Sequence, residues 1–203
     1  MFGFHPVCTA IWLLATGTQY FHAVAAFGGK GSPLVAIFNQ SEGDLRQWRT
    51  NKRKIDPNAQ HNAINSQSSL RWPVEDGRAT IAYSFDKSYN SDERLIVFRA
   101  MKRIESATCV RFSPRKSQED FIHFDNTEEA GCFSNVGKEL TGPTVIALES
   151  SERRNCVDYP VVVHMLLHSL GLWHEHNRFD RDDHIRVLYE NIGKGHARSF
   201  KLF

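Results

Sequence analysis

The sequence carries little net charge and lacks an apolar run long enough to cross a membrane. Its 25 Lys and Arg against 23 Asp and Glu leave a formal charge of +2, which is too small to indicate a nucleic-acid or polyanion partner. The main apolar run, at residues 7–15, is interrupted from Thr16 onward, short of the roughly 20 residues that a membrane-spanning helix needs. We therefore expect no nucleic-acid partner and no membrane span.

Residues 1–25 nevertheless have the pattern of a secretory signal peptide. The apolar run is followed by Ala23-Val24-Ala25, a small-x-small cleavage signal. The segment before the run contains no Lys or Arg, which departs from the usual signal. A membrane anchor is the alternative, and the polar residues after Ala15 argue against it. We expect cleavage after Ala25 and a secreted, extracellular protein.

Cysteine is scarce, with four residues in the whole chain. Cys8 would leave with the signal peptide, and Cys109, Cys132 and Cys156 would remain in an oxidising compartment. Because three is an odd number, we expect either one thiol without an intrachain partner or a partner beyond the end of the sequence.

Residues 26–61 differ in composition from the chain that follows. They contain Gly-Gly, Ser-Pro, a basic run at 49–54, many Asn and Gln residues and few aromatic ones, which is typical of a loosely packed leader. Asn39 begins the tripeptide Asn-Gln-Ser and is a candidate glycosylation site in a secreted protein.

From residue 71 onward the pattern predicts an α/β or α+β sheet domain. Four short strands are predicted, at 79–85, 109–112, 121–124 and 145–148. After the first strand a helix runs to about residue 107, and Ser91 is its predicted cap. Helical spacing predicts one buried face on it, made of Val97, Ala100, Met101 and Ile104.

A second helix carries a candidate metal site. It is predicted to begin near Pro160, with Asp158 as its cap, and to end at Gly171. His164 and His168 are four residues apart, so both rings project from one helix face. Gly171 can adopt a positive φ and turn the chain back, which lets His174 arrive as a third nitrogen ligand. Three neutral imidazoles with one open position are typical of a catalytic zinc site.

The alternative is that these histidines are ordinary polar residues on a half-buried helix. Two histidines four apart would leave that alternative strong, but the glycine and the third histidine at fixed offsets argue against it.

The segment HMLLHSLGLWHEHNRFDRDDH resembles the extended zinc signature H-E-x-x-H-x-x-G-x-x-H of the metzincins. Its continuation HEHNRFDRDD is specifically similar to the astacin family of metalloendopeptidases. RWP, TCVRF, GCFSNVG and NCV follow the same order and approximate spacing as in astacins, over about residues 62–193. The resemblance implies an astacin-like α+β N-terminal subdomain, with a twisted sheet and two long helices, the second carrying the zinc ligands.

The resemblance also assigns roles to individual residues. His164, His168 and His174 are implied to bind Zn²⁺, and Glu175 to meet the new N-terminus after activation. Cys132 and Cys156 look like the family's disulfide beside the cleft.

The leader resembles the family's propeptide. Residues 62–63 look like the mature start, which implies a propeptide at 26–61 and a peptidase domain at 62–203. The leader's FNQSEGD is similar to the family's latency motif, which implies that Asp44 blocks the zinc. A turn residue after Gly43 is the equally open alternative for Asp44.

The sequence departs from the family's pattern at the catalytic base. Met165 stands where the resemblance places a glutamate that takes a proton from zinc-bound water. Methionine has no acidic or basic group, so no residue of the sequence fills the catalytic role.

Further departures concern the C-terminal part of the sequence. No methionine follows His174 to form the family's Met-turn, and residues 194–203 do not resemble the continuation. The family's partner for Cys109 is also missing, so Cys109 is expected to have no partner. These departures predict a lower subdomain that is truncated and a peptidase domain that is incomplete at its C-terminus.

The leading functional hypothesis is a secreted, zinc-binding metalloendopeptidase homologue that is inactive or strongly impaired. One alternative is an active endopeptidase that hydrolyses extracellular proteins, through an unusual base or in a longer chain. The other is a non-enzymatic module that binds peptide. All three predict an extracellular protein or peptide as substrate or ligand.

Overall fold

The structure, a computed structural model, describes residues 63–64, 67–193 and 197–202. Within them, a sheet and two long helices are followed by short 3₁₀ helices. The larger elements are β1 (Ala79–Phe85), α1 (Ser91–Ala107), β2 (Val110–Pro114), β3 (Phe121–Asp125), β4 (Cys132–Ser134), β5 (Thr144–Leu148) and α2 (Tyr159–Ser169). The 3₁₀ helices span Glu175–Asn177, Arg181–Asp183, Tyr189–Asn191 and Ala197–Phe200.

The five strands form one mixed sheet in the order β2-β1-β3-β5-β4. β1, β2, β3 and β5 are parallel, and β4 pairs antiparallel with β5. α1 and α2 contact each other, α1 also contacts β2, and α2 contacts β4 and β5. Both helices therefore cover one face of the sheet, and the predicted α+β class is confirmed.

The core lies between the sheet and the two helices. Ile122 and Phe124 of β3 and Ile146 of β5 are fully buried against Val161, Val162 and Leu166 of α2 in one apolar cluster. The predicted buried face of α1 is confirmed, since Val97, Ala100, Met101 and Ile104 are each at most 4% exposed.

The cap of α1 differs from the prediction by one residue. Asn90, not Ser91, is the N-cap, and its side chain accepts hydrogen bonds from the backbone N–H groups of Asp92 and Glu93. Glu93 in turn accepts from the backbone N–H of Asn90 at 2.8 Å, which completes a capping box. Asn90 is preferred because its extended backbone directs the carboxamide at these N–H groups.

α2 begins after Asp158, as predicted, but the Asp158 side chain makes no capping hydrogen bond. The helix ends at Ser169, and Gly171 then adopts φ +104°. A Cβ atom on Gly171 would lie 2.7 Å from the Ile64 side chain. Both the positive φ and this close contact require glycine at the reversal.

No helix among the described residues is long and apolar enough to span a bilayer. The predicted signal peptide at 1–25, the leader at 26–61 and two candidate sites, Asn39 and Asp44, lie outside the described residues.

Candidate metal centre

The three predicted histidines come together at the C-terminal end of α2. One ligand nitrogen from each of His164, His168 and His174 lies within 4.8 Å of the others. The Nε2 atoms of His164 and His168 are 2.9 Å apart. Three neutral imidazoles are suitable ligands for Zn²⁺ at about 2.0–2.1 Å, so the donor set fits this metal.

The backbone between the second and third histidines reverses within a few residues. Gly171 donates its N–H to the His168 carbonyl at 2.8 Å, and Leu172 donates to Leu167 at 3.1 Å. His174 then lies in an extended conformation directly before the 3₁₀ helix at Glu175–Asn177. This reversal places the ring of His174 5.4 Å, centroid to centroid, from that of His164.

His168 is held by a second contact that the sequence motif does not reveal. Its Nδ1 lies 2.7 Å from the backbone carbonyl of Leu172, which can only accept a hydrogen bond. Nδ1 therefore carries the proton, and Nε2 keeps its lone pair for a metal. His168 is buried, whereas His164 and His174 are half-buried.

A tryptophan side chain holds the C-terminal end of α2 in place. Trp72 Nε1 donates a buried hydrogen bond to the Ser169 carbonyl at 2.8 Å. Trp72 belongs to the RWP motif, which contributed to the resemblance described above. The motif alone does not indicate that Trp72 contacts α2.

Residues 63–64 lie against the reversal that carries the metal centre. Ile64 N donates to the Gly171 carbonyl at 2.9 Å, and Ala63 forms an antiparallel bridge with Leu172. Ala63, the second residue of the predicted mature start, thus lies beside the reversal between His168 and His174. Glu175, its predicted partner, is half-exposed and forms an ion pair with Arg178 at 3.0 Å.

Arg178 links Glu175 to a second carboxylate. Its guanidinium donates to both oxygens of Asp180, at 2.7 and 2.6 Å. This hydrogen bonding lowers the pKa of Asp180 and raises the pKa of Arg178. Asp180 and Arg178 are therefore both charged at neutral pH, and their attraction braces the loop after His174.

Met165 follows the first histidine and is fully buried in the apolar cluster between helix and sheet. Its thioether has no proton to donate and no basic site of useful strength.

The predicted disulfide between Cys132 and Cys156 is present, with both residues fully buried. It ties β4 to the segment that leads into α2. Cys109 is also disulfide-bonded, so the expectation that it has no partner is wrong. That expectation came from the resemblance, in which the family's partner for Cys109 lies near the C-terminus of the domain and has no counterpart in this sequence.

The family model described as Astacin, a peptidase family, matches residues 65–203. Zinc metalloproteinase nas-5 of Caenorhabditis elegans is similar to this chain, with 40% identity over 134 residues that cover 64% of the chain and 37% of that protein. Bone morphogenetic protein 1 of Xenopus laevis is 37% identical over 138 residues, covering 68% and 18% respectively. The chain thus spans less than half the length of these curated relatives.

A solved structure has a similar fold. High choriolytic enzyme 1, a hatching enzyme zinc-protease from the medaka fish Oryzias latipes, gives a TM-score of 0.62 at 30% identity. The similarity covers 70% of this chain and 69% of that one.

The family match corrects the predicted limit of the resemblance near residue 193, because it continues to residue 203. In the structure, the C-terminal segment packs against the residues that follow His174. Asn177 Nδ2 donates to the carbonyls of Ser199 and Lys201, and the buried Arg181 donates to the carbonyl of Phe200. These contacts are made to backbone carbonyls of the C-terminal segment, and the Phe200 ring also lies 5.0 Å, centroid to centroid, from the ring of His176.

Proposed function

The chain belongs to the astacin family of metallopeptidases, and from this we propose that it is a secreted, zinc-binding metalloendopeptidase homologue with absent or strongly impaired proteolytic activity. His164, His168 and His174 would hold the metal. When bound, Zn²⁺ supplies Lewis-acid activation of water and of a peptide carbonyl.

The observation that carries this proposal is the burial of a methionine directly after His164. General acid–base help is worth about 10²–10⁴ in rate, and the same group would also orient the nucleophile. Met165 cannot accept a proton, and its side chain is fixed in the apolar cluster. Glu175 and Asp180, the first two carboxylates after His174, are engaged by Arg178.

The metal-binding part of the proposal is tested by counting zinc. Purified protein should retain zinc, and His168→Asn should retain less of it, because His168 is the ligand with the best-defined tautomer. His184→Asn is the matched control, since His184 is exposed and lies outside the triad. Equal zinc content in the His168→Asn variant and the unchanged chain would contradict the assignment.

The activity part is tested with a denatured protein substrate and a zinc chelator. We expect no turnover that the chelator abolishes. Chelator-sensitive cleavage that is also lost in His168→Asn would instead favour the active endopeptidase that uses an unusual base. A peptide that binds to the zinc-loaded protein and is recovered uncut would favour the non-enzymatic binding module.

The proposal includes secretion and latency. We propose that residues 1–25 are a signal peptide, that 26–61 are a propeptide and that Asp44 is its metal-directed carboxylate, with extracellular protein or peptide as the ligand. Expression in a secretory host tests the first two, because the medium should contain chains that begin at residue 26 or 62. An Asp44→Ala precursor should release zinc to a chelator faster than the unchanged precursor, and equal release would exclude the latency role.

A further inference from the structure

A second group of potential metal ligands lies at the carboxyl ends of two adjacent strands. Asp86 follows β1, and His123 and Asp125 belong to β3. β1 and β3 are parallel, with Ser84 beside His123 and Phe85 beside Phe124. This register brings Asp86 next to His123 and Asp125, although α1 and β2 lie between Asp86 and β3 in the sequence.

The group lies on the sheet face opposite to the helices. Ile122 and Phe124 are fully buried in the cluster that α1 and α2 cover. Because successive side chains of a strand point to opposite faces, His123 and Asp125 point away from the helices and from α2, which carries His164 and His168. All three residues of the second group are half-buried.

The ligand atoms are close together and their side chains are fixed. One nitrogen or oxygen from each of the three residues lies within 4.8 Å of the others. His123 Nδ1 lies 2.9 Å from Ser84 Oγ, which leaves Nε2 for another ligand. Zinc ligands at about 2.0–2.1 Å from the metal are about 3.4 Å from each other, so the three ligand atoms would move closer together when a metal binds.

Each carboxylate has one oxygen fixed and one available. Asp86 Oδ1 accepts hydrogen bonds from the backbone N–H and the hydroxyl of Ser88, both at 2.8 Å. Asp125 Oδ1 accepts from Thr127 Oγ1 at 3.0 Å. Among the described residues, no hydrogen bond to either Oδ2 atom is found. These contacts orient the carboxylates and leave one oxygen of each for a metal.

The charge of the group favours a cation. Two carboxylates converge, and within residues 63–64, 67–193 and 197–202 neither forms an ion pair with a lysine or arginine. Two hydrogen bonds from Ser88 hold the pKa of Asp86 below its ordinary value, and the bond from the backbone N–H has the larger effect. Asp86 is therefore ionised at neutral pH.

We propose that Asp86, His123 and Asp125 form a second divalent metal site, which binds Zn²⁺ with water completing the coordination. An imidazole is a poor ligand for Ca²⁺ and Mg²⁺ and a good one for Zn²⁺, and carboxylates accept Zn²⁺ as well. The site is independent of the His164 centre and of the function proposed for it.

The test counts zinc after chelator treatment and equilibrium dialysis of the full chain. The unchanged protein should bind about two zinc ions, and His123→Asn about one. In a His164→Asn/His168→Asn background, which lacks the triad, one zinc should remain, and adding His123→Asn should remove it. Glu128→Gln is the matched control, because it removes an exposed carboxylate three residues from Asp125 and should leave the count unchanged.

Circular dichroism establishes that each variant is folded, and Asp125→Asn replaces His123→Asn if that variant is not. In the His164→Asn/His168→Asn chain, any zinc that remains bound reports on the second site alone. The experiment therefore distinguishes failure of the second site from failure of the histidine triad. The second site is refuted if the triad-deficient chain binds no zinc. It is equally refuted if folded His123→Asn and Asp125→Asn variants bind as much as their parents.

Discussion

At the scale of single residues, position 165 affects both the packing of the core and the capacity for proton transfer, and separate variants test the two effects. Its side chain is fully buried in the apolar cluster between α2 and the sheet. An unpaired carboxyl in such a place costs about 1–3 kcal/mol or more, and burial raises its pKa. We therefore expect Met165→Glu to lower the free energy of unfolding of the metal-free chain by at least about 2 kcal/mol.

The control for this prediction is Met165→Leu, which conserves volume and apolarity and should cost less than about 1.5 kcal/mol. Both values are measured by denaturant unfolding in the presence of a chelator. Equal stability of the Glu and Leu variants would show that position 165 has access to water or to a polar partner.

The chemical role of position 165 is tested in a chimera with an active member of the family. Joining residues 62–193 to the C-terminal half of an active family member gives a chimera in which Met165→Glu restores a general base. Peptidase activity should rise by about 10² or more, since that is the lower range for general acid–base help. Met165→Gln has nearly the same shape but no base, so it should give no gain. Comparable activity in the Gln and Glu chimeras would show that proton transfer at this position is not the missing step.

The sequence predicted the site whose residues lie close together along the chain. It did not predict the group of residues that strand pairing brings together. His164, His168, Gly171 and His174 fall within one helix and one turn, so their spacing alone indicates a shared site. Asp86 meets Asp125 only because β1 and β3 are adjacent, and no short motif encodes that register. The contact between Trp72 and Ser169 was missed because the two residues are 97 positions apart in the sequence and no local pattern connects them.

At the scale of elements, the start of α1 depends on a reciprocal cap. Asn90 accepts from two backbone N–H groups, and Glu93 accepts from the Asn90 N–H. Loss of an N-cap side chain costs about 0.5–2 kcal/mol, so Asn90→Ala should lower the free energy of unfolding by about 1 kcal/mol. Asn90→Asp keeps the acceptor and should change stability by much less. Similar losses in both variants, measured by denaturant unfolding, would contradict the capping role.

The Cys132–Cys156 disulfide connects β4 to the entry of α2 and closes a loop with a sequence separation of 24. The chain-entropy relation gives about 3.5 kcal/mol for a loop of this size. A Cys132→Ala/Cys156→Ala variant should therefore lose about 3.5 kcal/mol of its free energy of unfolding. Cys132→Ala alone, which leaves one buried thiol, is the companion variant. A loss below about 1 kcal/mol in the double variant would show that packing alone holds β4 to α2.

The helices and strands with a regular spacing of apolar residues were predicted from the sequence. The order and pairing of the strands in the sheet were not. The four predicted strands and two helices are confirmed within a few residues at each end. β4 was missed because three residues are too few to show alternation. The strand order and the antiparallel pairing of β4 depend on contacts that are distant in sequence, so hydrophobic periodicity carries no information about them.

At the scale of the whole molecule, stability at acid pH depends on carboxylates that are ionised in the folded state. Glu149 is 2% exposed, and it accepts hydrogen bonds from Ser151 Oγ at 2.7 Å and from the Gly131 N–H at 2.9 Å. Burial raises the pKa of Glu149, but these hydrogen bonds lower it by more, and the net direction is downward. Glu105 behaves in the same way, with Lys102 and the Phe112 N–H as its partners.

A carboxylate whose pKa is lower in the folded than in the unfolded chain stabilises the fold above its unfolded pKa, near 4.5 for glutamate. That stabilisation is lost as pH falls from there through the folded pKa. We therefore expect the free energy of unfolding to decrease below about pH 4.5. Glu149→Gln should be less stable than the unchanged chain at pH 7 and should show a shallower decrease in acid, whereas the exposed Glu128→Gln should change neither. Denaturant midpoints between about pH 3 and 7 measure both quantities, and parallel curves for Glu149→Gln and the unchanged chain would show that Glu149 contributes nothing to acid sensitivity.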